Sequence, residues 1–127
     1  MVEERGRLLS LMLTAGEVSE MKMAPELAWR ARAAGVKSLV GDKGFDGDRL
    51  RTLIRWLGME PVIPFRKGRK NSVPVDKPLY RKRNCVERFI GRIKENRRLA
   101  TRYEKTALNF CGFILLAAIK DWLRFIC

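Results

Sequence analysis

Short apolar blocks follow one another along the first half of the chain, and glycine or proline separates them. Residues 7–14 (RLLSLMLT) form an apolar run between Gly6 and Gly16, which predicts a short strand. Apolar runs at 37–40 and 61–65 predict two further strands. Each run is bounded by residues typical of turns, so the pattern indicates strands separated by other elements.

Two segments between these runs have the character of helices. Residues 25–34 are rich in alanine and end at Gly35, while residues 46–57 begin with acidic side chains and end at Gly58. Strands that alternate with helices of this length are typical of α/β proteins whose sheets contain parallel pairs. The first half of the chain is therefore predicted to be α/β.

The second half begins with a basic connection, residues 66–78, which contains glycine and proline. A helical period then runs from about residue 79 to 103, and a second from about 107 to 126. The uncharged stretch of the last helix is shorter than the roughly 20 residues that cross a bilayer. We therefore expect this helix to pack in the core, and we expect no membrane partner.

Positive charge is concentrated in one part of the chain. Of 127 residues, 27 are Lys or Arg and 14 are Asp or Glu, which gives a net charge of +13. Residues 66–105 hold fifteen of the basic residues and four of the acidic ones, so they carry +11 of this charge. A basic segment that also has a helical period predicts a folded surface for a polyanion, and nucleic acid is the first candidate.

Composition also excludes several kinds of chemistry. The chain has no histidine, which excludes histidine as a general base or as an activator of a nucleophile. Its three cysteines are an odd number without paired spacing, which argues against a disulfide framework and against a structural zinc site. These features are typical of a protein from a reducing compartment.

Four polar residues of the predicted helix over 79–103 fall within about 60° of arc. They are Tyr80, Arg83, Glu87 and Lys94, and Arg98 returns to roughly the same face. A single carboxylate in a line of cations fits an acidic residue of an active site. It also fits an ordinary salt-bridge partner on a solvated helix, and the spacing alone leaves both interpretations open.

Asp42 offers a second candidate carboxylate, in the sequence GDKG that follows the strand at 37–40. The carboxyl end of a buried strand is where open α/β sheets place their sites, and the flanking glycines allow close approach of a ligand. The alternative is a turn residue or a helix cap. Asp46 and Asp48 are the better caps for the following helix, which leaves Asp42 without a local structural role.

The chain resembles the C-terminal half of bacterial insertion-sequence DDE transposases in the segments GDKGFDGDRLR, PVIPFRKGRK and LYRKRNCVERFIGRIKENRRLATRYEKTALNF. The Y-(2)-R-(3)-E-(6)-K signature of that group is matched without a gap by Tyr80, Arg83, Glu87 and Lys94. The segment GRLLSLMLTAGEVSEMKMAPEL also resembles the family's stretch before its second Asp. The resemblance therefore covers essentially all of residues 1–127.

This resemblance implies an α/β, partial RNase H-like fold with a mixed sheet and C-terminal helices. It also implies two divalent metal ions held by three carboxylates. Asp42 matches the second Asp of the family and Glu87 its final Glu, so both are implied to be catalytic residues and metal ligands. Mg²⁺ is the expected ion, with Mn²⁺ as a substitute, because hard cations prefer carboxylate oxygens and a metal pair needs no histidine.

The resemblance also implies the DNA-binding residues and the partners. Tyr80, Arg83 and Lys94 match residues that hold transposon-end DNA beside the metal ions, and Arg98 extends their basic face. An arginine fork suits a phosphate, and a lysine attracts it as a point charge. The implied partner is double-stranded DNA, in the bacterial cytoplasm and associated with the nucleoid, and a homodimer is a further possible assembly.

The family's first catalytic Asp lies on the first strand of its fold, upstream of the part that residues 6–14 resemble. We therefore expect two of the three carboxylates here, a sheet without its first strands, and no DNA cleavage by this chain alone. The chain is then the C-terminal portion of a catalytic domain, as the second reading frame of a split gene or as a decayed remnant. Its partner in the first case is an upstream transposase segment. The alternative is a non-catalytic, basic DNA-binding polypeptide such as a transposition regulator.

Two further predictions concern residues outside the signature. Trp29, Trp56 and Trp122 lie in helical segments and are expected to pack in or near the core rather than to stack on bases. The run RKGRK at 66–70 is expected to be a mobile loop that contacts phosphates.

Overall fold

A computed structural model of the chain describes residues 1–14, 16–96 and 106–126. They form two compact units. The first, which we call the sheet unit, is Thr14–Arg83, and the second, the helical unit, combines Met1–Leu13 with Asn84–Cys127. Helices and strands both occur, so the predicted α/β class is confirmed.

The sheet unit alternates helices with strands. Its elements are α1 (Glu20–Ala33), β1 (Ser38–Val40), a 3-10 helix (Lys43–Phe45), α2 (Asp48–Trp56), β2 (Glu60–Val62) and α3 (Lys77–Arg81). α1 begins earlier than the predicted residue 25, and Pro25 lies inside it. The order β1–α2–β2 is a crossover connection, which is what joins parallel strands.

The two strands pair in parallel, as the alternation of elements predicts. Ser38 lies opposite Glu60, and Val40 lies opposite Val62. The ladder continues past the last pair, because the N–H of Gly41 donates to the carbonyl of Val62 at 3.1 Å. Parallel strands bring their carboxyl ends to the same edge, so the segments that leave β1 and β2 emerge side by side.

Small side chains form the buried stripe of α1. They are Ala24, Ala28 and Ala31, at the spacing of one helix face. α1 packs against α2, which buries Leu50 and Ile54. The small side chains of this stripe let α1 and α2 approach closely. A helix of low overall hydrophobicity can therefore still pack against the core.

The tryptophans of these helices are more exposed than predicted. Trp56 is 72% exposed and Trp29 is 50% exposed, and their rings meet edge to face with centroids 5.7 Å apart. The predicted packing is wrong for Trp56. Leu57, the residue that follows α2 at its C-terminal cap, is buried instead. Successive residues of a helix are about 100° apart, so Trp56 at the end of α2 projects in another direction.

The strand predicted for residues 7–14 is absent from the described structure. The segment contains one isolated antiparallel bridge, between Val2 and Leu8. The N–H groups of Leu9 and Ser10 both donate to the carbonyl of Met1, at 3.0 and 3.3 Å, and Leu11 packs against the core of the helical unit. The apolar run therefore contributes side chains to helix packing rather than a strand to a sheet.

The single helix predicted for residues 79–103 is also corrected by the structure. α3 ends at Arg81 and α4 spans Asn84–Lys94, with a turn at Lys82 and Arg83 between them. In this turn the N–H of Arg83 donates to the carbonyl of Tyr80, three residues back, at 3.0 Å. This tighter bond ends the α-helical ladder. Residues 97–105 lie outside the described part of the chain.

The helical unit contains α4 and α5 (Ala107–Ile126). Ile114 and Ala117 are its buried centre, and the half-buried residues packed around them are Leu11, Ile93, Phe110 and Phe113. Both helices thus contribute to one core, together with the N-terminal segment. Of the helices that the structure describes, none combines the length and the apolar character needed to cross a membrane.

Candidate active site

An open groove of about 880 Å³ lies at the carboxyl edge of the two strands, within the sheet unit. Its lining residues come from the segment after β1, the segment after β2, and α3 with the turn that follows it: Asp42, Lys43, Gly44, Pro64, Arg66, Lys67, Tyr80 and Arg83. Three of these, Asp42, Tyr80 and Arg83, are residues that the sequence singles out. The structure brings them together in one place.

Asp42 follows β1 directly and is exposed to solvent. Its Oδ1 accepts a hydrogen bond from the N–H of Gly44 at 2.7 Å, so the carboxylate also caps the 3-10 helix. The alternative interpretation of Asp42 as a helix cap is therefore correct, and its catalytic role stays a prediction. A Cβ at position 44 would lie 2.8 Å from Oδ1, which explains the glycine there. Oδ2 makes no hydrogen bond with the described residues, and Asp42 lines the groove.

Tyr80 and Arg83 form a pair at the other wall of the groove. The Arg83 guanidinium lies 6.0 Å from the centroid of the Tyr80 ring, and both side chains are half-buried. α3 is fixed at its start by Asp76, whose carboxylate accepts the N–H of Leu79 at 3.1 Å. The Tyr80 ring thus lies within the distance at which an aromatic face attracts a guanidinium, and α3 holds Tyr80 at this wall of the groove.

Glu87 and Lys94 belong to the helical unit, where both are exposed on α4. They are seven residues apart, which is about two helical turns, so they share one face of that helix. The predicted common helix with Tyr80 and Arg83 does not exist, because α3 and α4 are separate. Arg98, the remaining predicted DNA-binding residue, lies outside the described residues.

Asp46 is a residue that sequence reasoning assigned to the wrong role. The N-cap of α2 is Gly47, and Asp46 is buried beneath the groove-lining loop instead. Its carboxylate accepts hydrogen bonds from Arg51, from Arg69 and from the backbone N–H of Arg66. Burial alone raises the pKa of Asp46, but the hydrogen bonds from these arginines outweigh it and hold the pKa below its usual value of 3.8.

Three cations of the groove were not singled out as site residues by the sequence. They are Lys43, Arg66 and Lys67. The side chains of Lys43 and Lys67 are exposed, and neither forms an ion pair with any described residue. The only sequence signals for them were the glycine-flanked GDKG turn and the basic RKGRK run. The groove therefore has a cationic lining around a single carboxylate.

Comparison with known proteins gives this arrangement a family. The family model of the transposase DDE domain matches residues 1–119. The chain belongs to the DDE transposases. This transposase is also 32% identical over 124 residues to a putative transposase for insertion sequence element IS6501 from Brucella ovis, across 97% of this chain and 94% of the relative. No solved structure matches it. The predicted family is thus confirmed.

Membership of the DDE transposases implies a divalent metal cofactor and a DNA substrate. Asp42 and Glu87 supply the carboxylate oxygens that a hard divalent ion prefers. Across residues 1–14, 16–96 and 106–126, no three His, Cys, Asp or Glu side chains come together as a metal-binding group. The donor type of each candidate carboxylate fits such an ion.

Proposed function

We propose that this chain supplies the C-terminal part of a transposase active site that cleaves and joins DNA at insertion-sequence ends. The observation that carries the proposal is the groove, which places Asp42, Tyr80 and Arg83 together beneath an open cationic surface. A carboxylate beside phosphate-binding cations is what metal-dependent phosphodiester chemistry needs. The proposed fold around it is RNase H-like.

Asp42 and Glu87 are the proposed metal ligands, and Mg²⁺ is the proposed ion, with Mn²⁺ as a substitute. A pair of such ions supplies an activated attacking oxygen and neutralises charge on the leaving oxygen. Asp42 is suited to this role because Gly44 fixes one of its oxygens and the other has no partner among the described residues. The metal would thus meet a carboxylate whose orientation is already set.

Tyr80, Arg83 and Lys94 are the proposed contacts to the DNA backbone, and Arg98 extends them. Arg83 would present its fork to a phosphate oxygen pair while the Tyr80 ring supports the guanidinium. Lys94 lies two turns beyond Glu87 on one helix face, so it would hold DNA next to the second carboxylate. These contacts position the scissile strand and carry no base specificity.

The third carboxylate of the family is proposed to come from an upstream transposase segment, and the chain is proposed to be inactive without it. A second copy of the chain is a further proposed partner at the DNA. The alternative function is a non-catalytic DNA-binding polypeptide that competes for element ends. The net charge of +11 over residues 66–105 fits this alternative as well as it fits the catalytic function, because DNA binding needs no carboxylate.

A nicking assay on supercoiled plasmid DNA separates the two functions. The chain is incubated with Mg²⁺ or Mn²⁺, alone and with the upstream transposase segment. We expect nicking only in the combined reaction, and we expect Asp42→Asn and Glu87→Gln each to abolish it. Glu60→Gln is the matched control, because Glu60 is an exposed carboxylate at the opposite end of β2. DNA binding without nicking in any combination would support the non-catalytic alternative.

A further inference from the structure

The loop that follows β2 is fastened to the turn that follows β1. The backbone N–H of Arg66 donates to Oδ2 of Asp46 at 2.7 Å, and Nη1 of Arg69 donates to Oδ1 at 2.5 Å. Arg69 also pairs with the exposed carboxylate of Asp48. The buried carboxylate of Asp46 thus holds both ends of residues 66–69. This segment is therefore an anchored loop and not the mobile loop that the sequence predicts.

Arg51 completes the anchor from below. It donates to Oδ1 of Asp46 from both Nε and Nη2, at 3.2 and 3.0 Å, and to the carbonyl of Ile63 at 2.7 Å. The Phe65 ring lies 3.9 Å from the Arg51 guanidinium and 5.3 Å from that of Arg69. The anchor therefore fixes the loop at its start, through Ile63 and Phe65, as well as at its end.

The loop in turn reaches the segment that carries Asp42. The Arg66 guanidinium donates to the backbone carbonyls of Lys43 and Gly44, at 3.3 and 3.1 Å. The arginines of this region are therefore engaged in holding two backbone segments together. The amines of Lys43 and Lys67 are left over, exposed on the groove and unpaired within the described structure.

We propose that residues 66–69 form a preorganised phosphate-binding loop, with Lys43 and Lys67 as ligands for a phosphate of the DNA backbone and Asp46, Arg51 and Arg69 as positioning residues. This inference rests on the proposed binding of DNA in the groove. A fixed loop binds more tightly than a mobile one, because less conformational entropy is lost when the complex forms. A lysine amine acts on phosphate as a point charge, so its position in the groove decides its contribution.

The ligand test measures affinity for a short fluorescein-labelled duplex by anisotropy between about 50 and 200 mM salt. We expect Lys67→Ala to lower the slope of log affinity against log salt by about one unit, and Lys43→Ala to do the same. Lys37→Ala is the matched control, because Lys37 is an exposed lysine that precedes β1, at the edge of the sheet away from the groove. Its slope should stay that of the wild type.

The positioning test combines Lys67→Ala with Arg69→Lys, which keeps the charge but cannot bridge Asp46 and Asp48 as a fork. Asp46→Asn is the more direct change, but it can unfold the sheet unit, so Arg69→Lys is preferred and its fold is checked by circular dichroism. In the Arg69→Lys background we expect Lys67→Ala to change the slope by much less than one unit. If Arg69 only stabilised the fold, Arg69→Lys would lower the affinity for DNA. Lys67→Ala would then still change the slope by about one unit in that background.

The outcomes distinguish this inference from the proposed function. If Arg83→Ala lowers the slope and Lys67→Ala does not, the phosphate-binding loop is wrong while DNA binding in the groove stands. If neither changes it, the groove itself is not the DNA site. If Lys67→Ala and Lys37→Ala lower the slope equally, the attraction is diffuse electrostatics, and the proposed phosphate-binding loop is wrong. If the effects of Lys67→Ala and Arg69→Lys on the slope are fully additive, Arg69 does not position Lys67.

Discussion

Arg92 donates one hydrogen bond to each carboxylate oxygen of Asp121, from Nε to Oδ1 at 2.8 Å and from Nη2 to Oδ2 at 3.0 Å. Asp121 is only 4% exposed, and Nη2 also donates to the carbonyl of Gly6 at 2.7 Å. Arg92 lies on α4 and Asp121 on α5. This pair therefore joins both helices and the N-terminal segment of the helical unit.

Removal of Arg92 should destabilise the helical unit strongly. Arg92→Ala leaves the Asp121 carboxylate buried without its partner, and loss of one member of a buried pair costs about 3–5 kcal/mol. Urea unfolding followed by circular dichroism measures the change. Arg124→Ala is the control, since its pair with Glu95 is 3.4 Å long and exposed, and such pairs contribute about 0–1 kcal/mol. Equal effects of the two substitutions would contradict the role of the Arg92–Asp121 pair.

Two glycines of the helical unit should respond to alanine in opposite directions. Gly6 has a φ of 82°, and a Cβ there would lie 2.9 Å from Nη2 of Arg92, so Gly6→Ala should cost about 1–3 kcal/mol. Gly91 lies in α4 with open space around its Cβ position, so Gly91→Ala should stabilise by about 0.5–1 kcal/mol. Thermal unfolding of the two variants beside the wild type tests the signs. Destabilisation by both would show that the helix tolerates no side chain at position 91.

Acid should weaken the sheet unit through Asp46. Its pKa is lower in the folded chain than in the unfolded chain, so its contribution to stability is complete above the unfolded pKa of about 3.9. That contribution is lost as the pH falls through the lower folded pKa. We expect the free energy of unfolding to drop below about pH 4, and Asp46→Asn to show a smaller drop from a lower starting value. A wild-type profile of pH dependence in Asp46→Asn would contradict this role of Asp46.

The outer face of α5 should limit the solubility of the chain. Leu116 and Ile119 are 62% and 57% exposed, next to other exposed leucines of the same helix. Exposed apolar patches promote association, while single surface substitutions change stability by only about 0.5 kcal/mol. We expect Leu116→Gln with Ile119→Gln to reduce association in light scattering at unchanged stability. Ile114→Ala, at the buried centre, should instead cost about 2–5 kcal/mol.

The parts of the fold that the sequence predicts are those with a local periodic signal. β1 and β2 are apolar runs that alternate with helices, and the structure pairs them as parallel strands. Residues 7–14 are also an apolar run, yet they form no strand, and Leu11 packs in the helical core. Hydrophobicity marks a segment as buried, but it does not tell whether the backbone finds a strand partner.

The candidate site divides in the same way. Asp42 follows an apolar strand, and Tyr80 and Arg83 belong to a matched signature, so local sequence is enough to find them. Asp46 is anchored by Arg66 and Arg69, which lie 20 and 23 residues later in the chain. Partners so far apart in the chain produce no periodic pattern in the sequence. The residues next to Asp46 indicate only a capping role for it.

The anchored loop also gives the two kinds of cation different chemical reactivity. Arg51 is almost fully buried and Arg69 is partly covered, whereas the amines of Lys43 and Lys67 face solvent. A reagent that acylates amines would therefore remove the charges of Lys43 and Lys67 from a protein that is still folded. A dicarbonyl reagent selective for guanidinium groups would reach Arg51 only after unfolding. Bound DNA should protect the two lysines from acylation and leave the accessibility of Arg51 unchanged.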